Sequence, residues 1–441
     1  MTKYNLPQGY SAIQTIINTK DFLNNPVKFI AKSMDKFNGT YTATLGLNKK
    51  IIVTQNPDFI QYVLKDNHKK FKKSELTTKN AVTLFGDGLL FSNGEFWLKN
   101  RRFIQPAFHK EKLAGLYDIM IKSIHTSLAK YPVGNEIDLY PLVHKTSFDI
   151  LIKSLFDIDL PEIVLQELST IFSDLQQFLI VDINRPFHKI LYPFTGKKTK
   201  AIKQAKRVRA IFANLIMERI ASKNVYTDLL DMLLHSTYQD TGLKMEDDQV
   251  IDELLILIFA GHETTANTLS WLLYLLANDA KSINKITTII ENSAPLDCIK
   301  NEFLNATINE GMRLYPAAWS TERVAIEDDI FEDFSFQKGT IVVPFFYGLH
   351  RNKNYWINEN SFLPNRFLED TTLAKSNIFF PFGAGPRMCI GNNFAMAEMI
   401  FFLHAFLNKF TIEPTNHLPE MIPLITLRPN KIILKIKEKQ N

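Results

Sequence analysis

A loop rich in glycine and proline near the C-terminus carries one of the two cysteines of this chain. Residues 381–391 read PFGAGPRMCIG, and an apolar helical stretch follows directly after them. At a helix N-terminus, the backbone N–H groups and the helix dipole favour a thiolate at Cys389 over a thiol. Because no second cysteine or histidine lies nearby in the sequence, this thiolate suits a single axial bond to haem iron. A buried structural cysteine is the alternative, and the glycines and Arg387 at fixed offsets argue against it.

A proline-free helical pattern over residues 248–277 has a polar centre. Gly261 lowers the stability of a helix interior by about 1 kcal/mol relative to alanine, so we expect a packing or functional reason for it. Glu263 and Thr264 place a carboxyl beside a hydroxyl among apolar residues, where a charge is costly unless it has a task. A hydrogen-bonded notch in a core helix is the alternative. Beside a haem, the pair could deliver the two protons that splitting of bound dioxygen requires.

Two further pairs of residues have the spacing of neighbours on one helix face. Glu310 and Arg313 could form an ion pair there, and an ordinary surface pair of this kind contributes roughly a few tenths of a kcal/mol. Trp97 and Arg101 place an indole N–H and a guanidinium one helical turn apart. Guanidinium groups bind carboxylates in a bidentate manner, so this second pair suits the propionates of a haem.

These patterns together resemble those of the cytochrome P450 family. The loop from Phe382 to Gly391 fits the motif Phe-x-x-Gly-x-Arg-x-Cys-x-Gly, and Glu398 in the following helix has the usual offset. Ala260-Gly261-x-Glu263-Thr264 is similar to the distal-helix motif of the family. The matching motifs run from Trp97 to Glu398, so the resemblance covers most of the chain.

The resemblance implies roles for individual residues and a haem b with an axial cysteine thiolate. Cys389 would ligate the iron, and the proton-delivery site would comprise Ala260, Gly261, Glu263 and Thr264. The other haem contacts implied are Trp97, Arg101, Arg323, Phe382, Arg387 and Gly391. A buried structural triad would comprise Glu310, Arg313 and Arg366. Asn365 stands where the family most often has glutamate, a departure that leaves Arg366 in place.

Composition narrows the class of protein. The chain has 441 residues, 46% of them hydrophobic, and its 34 phenylalanines predict an aromatic core. A net charge of +5 is small for this length and gives no support for nucleic-acid binding. The two distant cysteines, Cys298 and Cys389, predict a reducing compartment rather than a disulfide framework, and hence a cytoplasmic location. Residues 1–19 lack the apolar run of a signal peptide or membrane anchor, so no membrane insertion is expected.

The expected fold is mainly α with small β-sheets, an α+β arrangement. Strand pairs are predicted at residues 40–46 with 50–54, within 325–344 around turns at 328–329 and 338–339, and at 422–436 around 428–430. Residues 110–276 are mostly helical in pattern. The resemblance implies one cytochrome P450 domain over residues 1–441, with no fused reductase and with haem between the long distal helix and the cysteine loop.

The function implied is a haem-thiolate monooxygenase that inserts one oxygen atom of O2 into an organic substrate. The resemblance also implies pocket walls at residues 81–91, 256–260, 317–319 and 424–426, whose apolar character suits a lipid or terpenoid-like molecule. Electrons would come from a separate ferredoxin or flavodoxin with an NAD(P)H-dependent reductase. The alternatives are oxidative O-demethylation of a small methyl ether, a peroxide-driven peroxygenase, which Glu263 and Thr264 argue against, and a non-catalytic haem sensor.

Overall fold

The computed structural model describes residues 4–46, 48–157, 160–184, 192–222, 224, 226, 228–238 and 240–440. Helices dominate this part of the chain. In chain order they are α1 (Ala12–Ile17), α2 (Thr19–Asn24), α3 (Pro26–Lys36), α4 (Pro57–Gln61), α5 (Glu75–Phe85), α6 (Gly94–Ile104), α7 (Lys110–Leu113), α8 (Tyr117–Leu128), α9 (Leu139–Phe156), α10 (Glu162–Asn184), α11 (Tyr192–Thr195), α12 (Lys197–Ala221), α13 (Leu229–His235), α14 (Asp247–Ala277), α15 (Ala280–Glu291), α16 (Pro295–Cys298), α17 (Glu302–Leu314), α18 (Phe346–Leu349), α19 (Arg366–Glu369) and α20 (Asn392–Lys409).

The strands are short and form small separate sheets, as expected for the predicted α+β class. They are β1 (Thr40–Leu45), β2 (Lys49–Thr54), β3 (Phe71–Lys72), β4 (Gly134–Asp138), β5 (Arg323–Ala325), β6 (Asp329–Phe331), β7 (Phe334–Phe336), β8 (Ile341–Pro344), β9 (Phe410–Pro414), β10 (Met421–Pro423), β11 (Leu427–Pro429) and β12 (Ile433–Glu438). The mainly helical prediction is confirmed.

Contacts along the chain divide it into two compact units. The first unit comprises Met1–Ser74, Glu302–Cys389 and Glu420–Pro429, and the second comprises Glu75–Asn301, Ile390–Pro419 and Asn430–Asn441. Both units therefore draw on distant parts of the sequence. The single domain predicted over residues 1–441 stays a prediction.

The first unit contains a five-stranded sheet in the order β1-β2-β8-β5-β3. The predicted hairpin is confirmed, because β1 and β2 pair antiparallel with Thr40 opposite Thr54. In the region 325–344 the turn predicted at 328–329 is wrong, since Asp329 begins β6 and pairs with Phe336 of β7. A phenylalanine-rich core, which includes Phe59, Phe71, Phe336 and Phe346, packs around this sheet.

The predicted strand pair at 422–436 is also wrong. β10 pairs with β11 in the first unit, with Ile422 opposite Arg428, so Arg428 lies in a strand and not in the turn. β12 instead belongs to the second unit, where it lies between β4 and β9. Strand partners so distant in sequence leave no local signal, because pairing depends on which side chains the fold brings together.

The long helix α14 is the centre of the second unit. It begins at Asp247, one residue before the predicted start, and ends at Ala277 as predicted. Asp247 and Asp248 in its first turn interact favourably with the positive end of the helix dipole. Apart from its polar centre, its middle is apolar and almost entirely buried, which is typical of a helix within a core. Among the described residues, no helix has both the length and the apolar character needed to cross a membrane.

Candidate active site

The cysteine loop of the first unit is closed by its own backbone. The N–H of Cys389 donates to the carbonyl of Phe382 at 2.9 Å, and that of Met388 donates to Gly385 at 3.0 Å. Gly385 has φ +68°, and a Cβ atom there would lie 2.0 Å from the carbonyl oxygen of Leu64. An L side chain is therefore excluded at this position by both conformation and space. These contacts constrain the loop backbone at Cys389, three residues before α20 begins at Asn392.

The two cysteines have opposite environments. Cys298 is fully buried, and burial raises the pKa of its thiol. Cys389 is exposed, and neither residue forms a disulfide. Burial thus makes Cys298 the structural cysteine, whereas the exposed Cys389 is accessible to a group from outside the loop.

A short open face interrupts the burial of α14. Between residues 253 and 273 every residue is buried except Ala260, Gly261 and Thr264, which are half-exposed. Their i, i+1, i+4 spacing places them on one side of the helix, and we call them the open face. A Cβ atom at Gly261 would lie 3.3 Å from Leu151 of α9, so the glycine also allows close packing of these two helices.

Glu263 and Thr264, the carboxyl and hydroxyl of the distal-helix motif, lie differently relative to the open face. Thr264 belongs to it, and its hydroxyl donates to the carbonyl of Ala260 at 2.8 Å. A hydroxyl oxygen that donates its one proton can still accept a hydrogen bond through its lone pairs. Glu263 lies beside the face and is only 5% exposed. A carboxyl next to a partly exposed hydroxyl is an arrangement suited to proton transfer.

Basic side chains come together in the first unit. Arg323 is buried, which lowers its pKa to about 10, and it donates to the carbonyl of Glu322 at 2.7 Å. The half-buried Lys73 lies near enough to Arg323 and Arg387 to be affected by their charges. Its pKa is lowered to about 7, first by desolvation and then by these two arginines. Three cations close together repel one another, and binding of a doubly negative group such as the two haem propionates relieves that repulsion.

Lys73 is a candidate that the sequence analysis missed. It belongs to a run, Lys72-Lys73-Ser74, that resembles any basic surface segment. Its relation to Arg323 and Arg387, about 250 and 314 residues later in the sequence, exists only in the folded chain. Unlike Lys73, the two arginines were predicted from the family motifs.

Trp97 and Arg101 lie one turn apart on α6 in the second unit. Trp97 is buried and Arg101 half-buried, and Arg101 Nε donates to Gln105 Oε1 at 3.2 Å. Gly391 is the N-cap residue of α20, and its carbonyl accepts the N–H of Ala395 at 2.8 Å. Phe382 contributes its backbone carbonyl to the cysteine loop, as described above.

The structure brings the three residues of the proposed triad together in the first unit. Glu310 Oε2 accepts from Arg313 Nε at 2.8 Å, and Oε1 accepts from Arg366 Nε at 3.1 Å. Arg313 also donates to three backbone carbonyls, those of His350, Glu359 and Ser361. Glu310 and Arg313 are fully buried, so the network satisfies charges that would otherwise be very costly in the core.

Comparison with known proteins agrees with this geometry. The sequence model of the cytochrome P450 family matches residues 7–436. Cyclooctat-9-en-7-ol 5-monooxygenase of Streptomyces melanosporofaciens is 26% identical over 407 residues, covering 90% of this chain and 87% of that protein. Carotene epsilon-monooxygenase of Arabidopsis thaliana is 26% identical over 417 residues, covering 87% of this chain and 76% of that protein.

The same fold occurs in the crystal structure of the cytochrome P450DA heme domain. That structure matches with a TM-score of 0.87 at 20% identity, covering 99% of this chain and 98% of that one. The family match spans nearly the whole chain, and the fold agrees with it. The chain therefore belongs to the cytochrome P450 family, and it is a haem-thiolate oxidoreductase of the monooxygenase type.

Proposed function

We propose that this enzyme hydroxylates an apolar, hydrocarbon-rich molecule, with one oxygen atom of O2 as the source of the new hydroxyl. The observation that carries the proposal is the open face of α14. In a helix that is otherwise buried through its middle, the only accessible residues are Ala260, Gly261 and Thr264, with Glu263 beside them. This arrangement supports a site where a proton is delivered at a protected surface.

The residues fit the haem that the family carries. In the first unit, Cys389 would provide the axial sulfur, and Arg323, Arg387 and Lys73 would bind propionate oxygens. In the second unit, Trp97 and Arg101 would act as further propionate donors. When bound, the haem supplies the electron transfer and the activation of dioxygen, and the thiolate tunes that chemistry.

Glu263 and Thr264 would hold and move protons at the open face. The Thr264 hydroxyl, fixed by its bond to the Ala260 carbonyl at 2.8 Å, can accept a hydrogen bond without changing its rotamer. The buried Glu263 carboxyl would resupply protons to the site. This pair favours a reaction that consumes O2 and protons over one driven by peroxide.

An apolar substrate is supported by the side chains near the open face. Phe85 and Phe91 lie with ring centroids 4.4 and 5.8 Å from that of Phe259, which precedes Ala260 on α14. Phe85 and Phe259 are buried, and the half-exposed Phe91 that packs on them can bind hydrocarbon surface through the hydrophobic effect. Two relatives are named for carotene and for a cyclooctatenol, both mostly hydrocarbon, which agrees with this substrate class.

The electrons would come from a ferredoxin or flavodoxin with an NAD(P)H-dependent reductase. The cytoplasm is the proposed compartment, because Cys298 and Cys389 both remain outside a disulfide bond, as expected under reducing conditions. A reconstituted assay with NAD(P)H, a reductase and either carrier would identify the electron donor.

The first experiment compares the carbon monoxide difference spectra of Cys389→Ala and Cys298→Ala with that of the parent protein. We expect the red-shifted Soret band of thiolate-ligated haem in the parent and in Cys298→Ala, and its loss in Cys389→Ala. Retention of the band in Cys389→Ala would overturn the proposed ligand.

The second experiment titrates the haem-loaded protein with fatty acids, terpenoids, methylated sugars and aromatic ethers while the Soret band is followed. A low- to high-spin shift with the apolar compounds supports the proposed class. A shift only with the methylated sugars or aromatic ethers would replace hydroxylation of an apolar molecule by oxidative O-demethylation.

A further inference from the structure

Two adjacent carboxylates on α14 bind the backbone of the segment that precedes α6. Asp252 Oδ2 accepts the N–H of Asp87 at 2.9 Å, and Glu253 Oε2 accepts the N–H of Leu89 at 2.8 Å. Gln249, one turn earlier, donates to Glu253 Oε1 at 2.9 Å and to the Asp87 carbonyl at 3.3 Å. Residues 86–91 are called the wall loop below, and the three α14 side chains the latch.

The wall loop has the sequence needed for this close approach. Gly86 has φ +89°, and a Cβ atom there would lie 2.1 Å from Cγ of Asp252. At Gly88 the corresponding atom would lie 2.8 Å from Glu253 Oε2. A side chain at either position would therefore displace either the loop or the latch side chains from their contact. The contact depends on complementary residues in two segments about 165 positions apart in the sequence.

Burial of the Glu253 carboxyl costs folding free energy. Its side chain is completely buried, and burial raises the pKa of its carboxyl to about 7. The neighbouring charges of Asp252 and Asp87 act in the same direction, while its bonds from Leu89 and Gln249 oppose it. If residue 253 served only to pack against apolar neighbours, a leucine there would be more stable than a glutamate. The hydrogen bond to Leu89 gives this buried carboxyl a task, which is to hold the wall loop.

The wall loop carries an aromatic residue to the centre of α14. The Phe91 ring lies 5.8 Å from that of Phe259 and 6.4 Å from that of Phe85. Phe259 is the residue directly before Ala260, the first residue of the open face. The position of Phe91 therefore determines part of the apolar surface beside the proton-delivery residues.

We propose that Glu253 is a positioning residue, which holds the wall loop against α14 and thereby sets the affinity of the enzyme for long apolar ligands. The inference rests on the proposed function, because that function makes the surface beside the open face a substrate-binding wall. It concerns the loop and its hydrogen bonds, and can be tested with a readout that does not need catalysis.

The first test measures amide hydrogen exchange in the wall loop of the haem-loaded protein. Glu253→Ala should speed exchange at Leu89 about tenfold or more, because the buried N–H loses its acceptor. Glu253→Gln keeps an oxygen at that position and should exchange within about threefold of the parent. Asp247→Ala is the control, since Asp247 is an exposed carboxylate in the first turn of the same helix and is not part of the latch. Equal exchange in Glu253→Ala and the parent would overturn the latch.

Gly88→Ala approaches the same contact from the loop side and leaves Glu253 in place. Its added methyl group should displace the loop and reproduce the faster exchange at Leu89. This variant keeps the test decisive if Glu253→Ala does not fold. Unchanged exchange in Gly88→Ala would count against the proposed contact.

The second test compares binding of 1-dodecylimidazole with that of imidazole, followed by the Soret band. Both bind through the imidazole nitrogen, but only the first carries an alkyl chain, whose binding depends on apolar protein surface. We expect Kd for 1-dodecylimidazole to rise about tenfold in Glu253→Ala and Gly88→Ala, with Kd for imidazole unchanged. Faster exchange with no change in either Kd would refute the role in ligand affinity. Absence of the thiolate-type carbon monoxide band in the parent would refute the proposed function instead, and the exchange result would still decide the latch.

Discussion

Replacement of Glu310 by glutamine should lower the free energy of unfolding by about 3–5 kcal/mol, the range found when one partner of a buried charge network is removed. The carboxylate accepts four hydrogen bonds, two from Arg313, one from Arg366 and one from the N–H of Leu363. A glutamine amide has one oxygen for these donors, and its N–H2 group would face the N–H groups of Arg313. Two guanidinium groups would then remain in the core without a counter-charge.

The position of each partner predicts an order among the variants. Arg366 is 11% exposed and makes one bond to Glu310, so Arg366→Gln should cost about 1.5–3 kcal/mol, the usual range for a hydrogen bond to a charged group. Asn365→Ala is the matched control beside it. Asn365 is the N-cap of α19 but makes no capping bond through its side chain, so the change should stay within about 0.5 kcal/mol.

Urea unfolding of the haem-loaded proteins, followed by far-ultraviolet circular dichroism, measures these differences. With an m-value of about 4 kcal/mol per molar for a chain of this size, Glu310→Gln should lower the midpoint by about 1 M. A loss below about 1 kcal/mol for Glu310→Gln, or a larger loss for Arg366→Gln, would refute the reasoning from burial and bond number.

Three other perturbations have defined outcomes. Lys73→Gln should speed haem transfer to apomyoglobin severalfold, because one of three cations that would bind the propionates is lost. Glu398→Gln should remove a pH dependence of stability. The buried Glu398 carboxyl accepts from Ser147 at 2.7 Å and has a pKa raised to about 8, chiefly by burial. The folded state thus keeps a proton that the unfolded chain loses above about pH 4.5, so stability falls as the pH rises to about 8. Thr264→Ala should lower the product formed per NAD(P)H consumed and raise release of hydrogen peroxide, whereas Thr264→Ser should keep most of the coupling.

Each of these three predictions has a control variant or an outcome that would contradict it. Lys69→Gln changes an exposed lysine nearby in the sequence and should leave haem transfer unaffected. For Glu398, the difference in unfolding free energy between variant and parent should change by up to about 1.4 kcal/mol per pH unit across that window, and a constant difference would contradict the raised pKa. Equal coupling in Thr264→Ala and the parent would remove Thr264 from proton delivery.

Sequence patterns predicted the helices, strands and loops that are specified by residues close together in the chain. The boundaries of α14 were predicted to within one residue, because a proline-free apolar helix is specified by residues next to one another in the chain. The hairpin β1–β2 was predicted for the same reason, since its strands are joined by a short turn. The cysteine loop also belongs to this group. Its glycines permit one compact conformation, and the motif could be read without any tertiary information.

The wrong strand prediction and the residues that the sequence analysis missed have a different cause. The last strand, β12, pairs with β4 about 300 residues earlier, and no local feature of residues 422–436 indicates that partner. Lys73 resembles a surface lysine until the fold places it near Arg323 and Arg387. Glu253 likewise resembles any acidic residue at the start of a helix, and its role depends on the N–H of Leu89.

The sequence by itself therefore determined the family motifs, the long helix α14, the cysteine loop and the expectation of a haem. Each of these depends on residue types at short, fixed spacing, where backbone geometry leaves few arrangements. Tertiary structure alone decided which cations lie close together, which carboxyls are buried, and which loop lies against α14. Those properties depend on desolvation and on charges brought together from distant segments, and both arise only when the chain is folded.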